Sequence, residues 1–148
     1  MLKLGVLISF LVLTVSSALA NSIGDVIKQE GNAVIERQEG DVVKSEKDTD
    51  VFSMDTVLTQ QGATAIEFVD ETRVDVTPHS KLIIDDFVYD PNTKTGALSL
   101  KASLGTVRYA SGQIAKNSRQ NVTIKTPTAV IGVRGTDFTM TVDETGST

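Results

Sequence analysis

The sequence predicts an all-β chain of many short strands, arranged as a β-sandwich or as a β-solenoid of stacked hairpins. Three observations carry this. The apolar residues fall in short runs rich in valine, isoleucine and threonine, residues that fit a pleated, half-buried surface. Several runs alternate apolar with polar at period two, and none sustains the period of a helix. Glycine, asparagine, aspartate and proline break the runs at close spacing, as in hairpin-connected strands.

Three strands are expected first, at residues 25–28, 33–36 and 41–44, divided by Glu30-Gly31-Asn32 and by Glu39-Gly40. The charged stretch 44–50 reads as a loop. Residues 64–68 and 72–77 alternate around Asp70-Glu71, which suits a tight hairpin with one buried and one wet face. Runs at 81–84 and 87–89 precede the turn signal Asp90-Pro91-Asn92, and 97–101 alternates until Gly105. A strand at 106–109 leads into a polar stretch, 111–120, expected to be a mobile loop. The last strands are expected at 122–125, 129–131 and 136–142. Their inward positions predict a core of Ile66, Phe68, Val74, Val76, Leu98, Leu100, Ile124, Ile131 and Phe138.

The N-terminus has a different character. Lys3 precedes an apolar run at 4–15, and Ser16-Ser17-Ala18-Leu19-Ala20 places small residues before Asn21, the pattern of a secretory signal cleaved after Ala20. The apolar run is shorter than the roughly 20 residues that a membrane span requires. The expectation is therefore a signal at 1–20 and one domain at 21–148, periplasmic or secreted, with no span once the signal is removed. Loss of Lys3 leaves 13 basic against 19 acidic residues, a net charge of −6 with no basic cluster, which disfavours nucleic acid as a partner. The chain has no cysteine, so disulfides and thiolate metal sites are excluded.

No catalytic or cofactor constellation emerges. His79, the one histidine, follows Pro78 in a predicted turn. Ser80 and Lys81 are adjacent on an alternating strand and so point to opposite faces, which defeats a Ser-Lys dyad. The stretch 132–136 lacks the lysine and the strand-to-helix context of a phosphate loop. Asp70, Glu71, Asp85, Asp86 and Asp90 follow no calcium-loop spacing and read as solvated turn acids. No metal or cofactor is expected.

The chemistry that remains lies near the C-terminus. Pro127 biases Thr126 towards extended geometry, and Gly132 and Gly135 flank Val133-Arg134 as at a bulge or sharp corner where backbones approach closely or φ is positive. Arg134 is the one strong donor fork in this stretch. It either pairs with a carboxylate or strand-end carbonyl of its own chain, or holds a carboxylate or main chain of a partner. The run from Thr126 and Pro127 through Gly132, Arg134, Gly135 and Thr136 to Phe138 resembles the signature segment of the FecR domain, a periplasmic domain named after a bacterial iron-uptake signalling protein. The strands at 24–34, the hairpin at 64–72 and the segment 76–82 resemble earlier parts of that domain in the same order.

The resemblance implies an extracytoplasmic β domain that binds an envelope protein and carries no catalytic residues. Its best-known members place the domain after a transmembrane helix and a cytoplasmic sigma-factor regulator, where this chain has a candidate signal. They also continue with a hairpin beyond the last strand, for which this sequence is expected to have no residues. The strand at 136–142 is then an edge, with Thr136, Phe138, Met140 and Val142 on one face and Asp137, Thr139 and Thr141 on the other. Arg134, Thr136, Asp137, Thr139 and Thr141 are accordingly the candidate partner-binding residues, reached by strand addition from a protein partner or a second copy. The N-terminal strand closing on this edge is the intramolecular alternative. Glycan binding and a structural role in a surface or virion assembly are the alternative functions.

Overall fold

The computed structural model describes residues 20–144 and the backbone of Gly146 and Ser147. The candidate signal segment up to Leu19 lies outside the described residues. The chain forms β1 (Gly24–Glu30), β2 (Ala33–Glu36), β3 (Val42–Lys44), β4 (Asp50–Val51), β5 (Thr56–Thr59), β6 (Ala63–Phe68) and β7 (Arg73–Val76). It continues through β8 (Lys81–Asp90), β9 (Thr95–Ala110), helix α1 (Gln113–Asn117), β10 (Val122–Lys125), β11 (Val130–Gly132), β12 (Phe138–Asp143) and β13 (Gly146–Ser147).

The fold is all-β, one curled sheet with the path β3-β2-β5-β8-β9-β7-β6-β1-β4. Every pairing on this path is antiparallel. Strand β9 is shared by both halves. Its first part, from Thr95 to Leu104, pairs with β8, while Val107 to Ala110 pair with β7. On its other side β9 takes β10 in parallel at Leu98 to Lys101 and β12 antiparallel at Gly105 to Tyr109. Alternation then sends Val74, Val76, Leu82, Ile84, Leu98, Leu100, Val107 and Tyr109 into one core. Phe68 of β6 and Phe87 of β8, from opposite halves, stack with ring centroids 5.3 Å apart.

Several expectations are corrected. The runs at 81–84 and 87–89 are one strand, kinked by an irregularity between Ile84 and Asp86, and those at 97–101 and 106–109 are one strand bent at Gly105. Strand β4 begins at the end of the charged stretch expected as loop, and β5 is a strand not expected from the sequence. The stretch 111–120 contains α1, with Ile114 and Ala115 buried. Ile131 and Phe138 are half-buried and pack against the core rather than within it, because β11 and β12 lie at the sheet margins. The last strand starts at Phe138, leaving Thr136 in an exposed connection. A short hairpin partner, β13, does follow it, and the N-terminal strand β1 pairs with β6 and β4 instead.

Candidate protein-interaction site

The signature residues occupy the margin where the chain crosses from β11 to β12. Thr126 is buried and closes the β10–β11 turn. Its N–H donates to the Ala129 carbonyl at 2.8 Å, and its Oγ1 accepts the Ala129 N–H at 3.0 Å. Pro127 is exposed within that turn. Gly135 adopts φ +89°, one of the two alternatives expected of these glycines, whereas the φ of Gly132 is not positive. Between them Val133 is buried and donates its N–H to the Val122 carbonyl at 3.0 Å.

Arg134 is exposed and has no hydrogen-bond or ion-pair partner among the described residues. The intrachain carboxylate considered for it is therefore not engaged. Its neighbours are fastened more firmly. Asp137 Oδ1 accepts the Ser111 N–H at 2.9 Å, and the Ser111 hydroxyl donates to the Thr136 carbonyl at 3.2 Å. The Thr141 hydroxyl shares a 2.9 Å hydrogen bond with Thr106. Thr139 is exposed opposite Arg108.

The backbone of β12 offers an edge. The Thr106 carbonyl accepts the Thr77 N–H at 3.1 Å and so faces away from β12. Thr106 lies opposite Thr141 in β12, so the alternation of an antiparallel ladder turns the Thr139 N–H and carbonyl outward, away from β9. On that outer side, among the described residues, β13 pairs with Val142 and Asp143. Arg134, Thr136, Asp137 and Thr139 thus lie on one exposed margin, beside an open length of strand.

Behind the margin stands a buried polar hub that the sequence misread. Asp70, expected to be a solvated turn acid, is 0% exposed. Its carboxylate accepts the Thr72 N–H at 3.1 Å, the Thr72 hydroxyl at 2.7 Å and the Ile114 N–H at 3.1 Å, and its carbonyl accepts the Gln113 N–H at 2.7 Å. Asp70 therefore pins α1 to the β6–β7 hairpin. Tyr109 is also buried, with its ring 5.5 Å from that of Phe138. Its hydroxyl meets no hydrogen-bond partner in the described structure. Burial raises the Tyr109 pKa; the nearby Ser111 and Thr72 hydroxyls oppose that rise without reaching hydrogen-bond geometry, and the Asp70 and Asp137 carboxylates add to it.

A second polar cluster, at Asp55, was also missed. Its buried carboxylate meets the Arg37 guanidinium and accepts the Phe52 N–H at 2.9 Å, while Arg37 lies over the Phe52 ring, 4.8 Å from its centroid. Burial raises the Asp55 pKa, with the Phe52 N–H and Arg37 pulling the other way. Asp85, by contrast, is lowered by hydrogen bonds from Lys125 and Ser99. His79 is exposed at φ 56°, and Ser80 is buried with its Oγ accepting the Thr106 N–H at 3.0 Å, so the two serve turn geometry. Among the described residues no three His, Cys, Asp or Glu side chains converge as a metal site would require.

The model of the FecR protein family matches residues 55–148, more than half of the chain. The chain belongs to the FecR protein family. Comparison with curated proteins and with solved structures finds no match. The FecR match begins at Asp55 and takes in the whole margin from Thr126 to Thr141. Strands β1 to β4 precede it yet pair into the same sheet. The FecR family is one of periplasmic regulatory or binding domains without catalytic function. Among the described residues of this member no helix is long and apolar enough to cross a membrane.

Proposed function

We propose that this chain is a periplasmic, non-catalytic FecR domain that recognises an envelope protein along the β12 margin. The carrying observation is Arg134, an exposed guanidinium with no partner among the described residues, a few residues ahead of Thr139, whose backbone faces outward. A partner strand would hydrogen-bond to Thr139 and place a carboxylate on Arg134. Strand addition supplies main-chain affinity, and the charged fork supplies selection. Thr136 and Asp137 border the same surface, the latter with its side chain already held by Ser111.

A photo-reactive residue at position 139, in cells that make the protein natively, is expected to capture a discrete envelope protein. The same residue at the exposed Val88, on β8, should not. Arg134→Ala is expected to weaken binding about 10- to 100-fold, the worth of a charge-assisted hydrogen bond. Thr139→Pro deletes an outward N–H at an edge, where proline is tolerated, and should weaken binding while leaving the thermal midpoint in place. Equal capture from positions 139 and 88, unaffected by Arg134→Ala, would refute the reading.

Periplasmic delivery rests on residues 1–20 acting as a cleaved signal, supported by Lys3, the apolar run at 4–15 and Ala18-Leu19-Ala20. The intact mass of the exported protein is expected to correspond to a chain beginning at Asn21. A mass that retains residues 1–20 would overturn this assignment.

A further inference from the structure

Strand β11 is a second open edge, and nothing in the β12 reading requires it. Among the described residues it pairs with β10 alone, through Thr123 opposite Gly132, Ile124 opposite Ile131 and Lys125 opposite Val130. The bond from the Val133 N–H to the Val122 carbonyl fixes the ladder's phase. Counting along an antiparallel pair, Ile131 exchanges its hydrogen bonds with Ile124, and the N–H and carbonyl groups of Val130 and Gly132 point outward. Val130 is 71% exposed, the most exposed of the large apolar side chains described.

Gly132 supplies the second observation. Its φ is not left-handed, and a Cβ built on it meets nothing within 4 Å. Neither backbone geometry nor crowding within the chain explains a glycine that weakens a strand by roughly 0.5–1 kcal/mol relative to alanine. A strand glycine of this kind marks a place where another chain comes close.

We propose that β11 pairs antiparallel with β11 of a second copy of this chain about a two-fold axis through Ile131. In that register Val130 of each copy lies opposite Gly132 of the other, and the valine side chain covers the open space above the glycine. The outward backbone groups of Val130 and Gly132 are those that meet, so both pairs exchange N–H···O bonds with the phase that β10 imposes. Ile131 already packs against the core, and across the axis it meets its own counterpart on the inner face. The edge carries no carboxylate of its own, and its neighbour Lys125 is paired with Asp85 at 2.9 Å. A net charge of −5 per chain therefore does not concentrate repulsion at the contact. Another open margin with an exposed valine, β3, lacks this complementarity: pairing about Val43 would set Val42 against Lys44.

The absence of cysteine makes the test direct. Facing residues in a pair without hydrogen bonds have Cα atoms about 4.5 Å apart, within disulfide range. Ile131→Cys is therefore expected to give a disulfide-linked dimer at least about ten-fold faster than Val42→Cys under the same oxidant. Sedimentation of the purified unmodified protein should show a mass rising towards the dimer between about 10 μM and about 1 mM, the range of a small interface. Val130→Lys and Gly132→Pro should each raise the dissociation constant at least about ten-fold without moving the thermal midpoint. Thr139→Pro should leave self-association unchanged, so failure here is distinguishable from failure of the β12 reading. A monomer mass at about 1 mM, or equal oxidation rates for the two cysteine variants, would overturn the proposal.

Discussion

Replacement of Asp70 by alanine is expected to lower the unfolding free energy by about 3–5 kcal/mol, the largest loss at any polar position of the fold. The carboxylate is fully buried and accepts two main-chain N–H groups and one hydroxyl, from Thr72 and Ile114. Truncation leaves both N–H groups buried and unsatisfied, each at a cost of about 1–3 kcal/mol. It also frees α1, whose five residues are too few to hold a helix without tertiary support. Urea unfolding measures the loss, and hydrogen exchange at the Ile114 amide locates it. Asp90→Ala, at the exposed end of β8, should change stability by less than about 0.5 kcal/mol. A loss below about 1 kcal/mol for Asp70→Ala would show that water replaces the carboxylate.

Gly105→Val is expected to cost about 3 kcal/mol or more. Gly105 adopts φ +84° at the bend of β9, a conformation that β-branched residues avoid. A Cβ at this position would also fall 2.6 Å from the Ser80 Cα, a clash with backbone that side-chain motion cannot relieve. Ser80 in turn receives the Thr106 N–H on its Oγ, so displacing it breaks the pairing just past the bend. The thermal midpoint should fall sharply or the protein should become insoluble. A midpoint within a few degrees of the original would place the bend elsewhere.

The strands most visible in the sequence are those with complete alternation. The hairpin around Asp70-Glu71 pairs Thr64 with Val76 and Glu67 with Arg73, as period two on both sides requires. Ile66, Phe68, Val74, Val76, Leu98, Leu100 and Ile124 are all in the core. Strand β5 escaped notice because its Thr-Val-Leu-Thr run is short and sits between polar residues. Helix α1 escaped because only Ile114 and Ala115 carry its apolar face and its order comes from Asp70. The alternation up to Gly105 suggests a strand end there, whereas its positive φ bends the strand and lets pairing resume with β7 in the other half.

The candidate site was legible to a similar depth. Arg134 stood out as an isolated fork, but its lack of an intrachain partner is a property of distance, which sequence does not carry. The same holds for Asp70. A carboxylate in a turn is ordinarily wet, and only the return of residues 112–114 to the hairpin buries this one. The β11 edge was hidden because backbone exposure depends on which strand fails to arrive beside it.

The bend in β9 also governs how the protein assembles. Among the described residues the groups β3-β2-β5-β8 and β7-β6-β1-β4 are joined in the sheet only through β9, and the chain shuttles between them before β9 is reached. The β1–β6, β2–β5, β5–β8, β7–β9 and β9–β12 ladders each close a long loop, the situation that slows folding most. Neither group can complete its inner edge until residues 95–110 are available to both. The molecule should consequently fold in one late, concerted step, and its core amides should open together rather than group by group. A chain emerging N-terminus first would lack this shared strand until about three-quarters of it had been delivered.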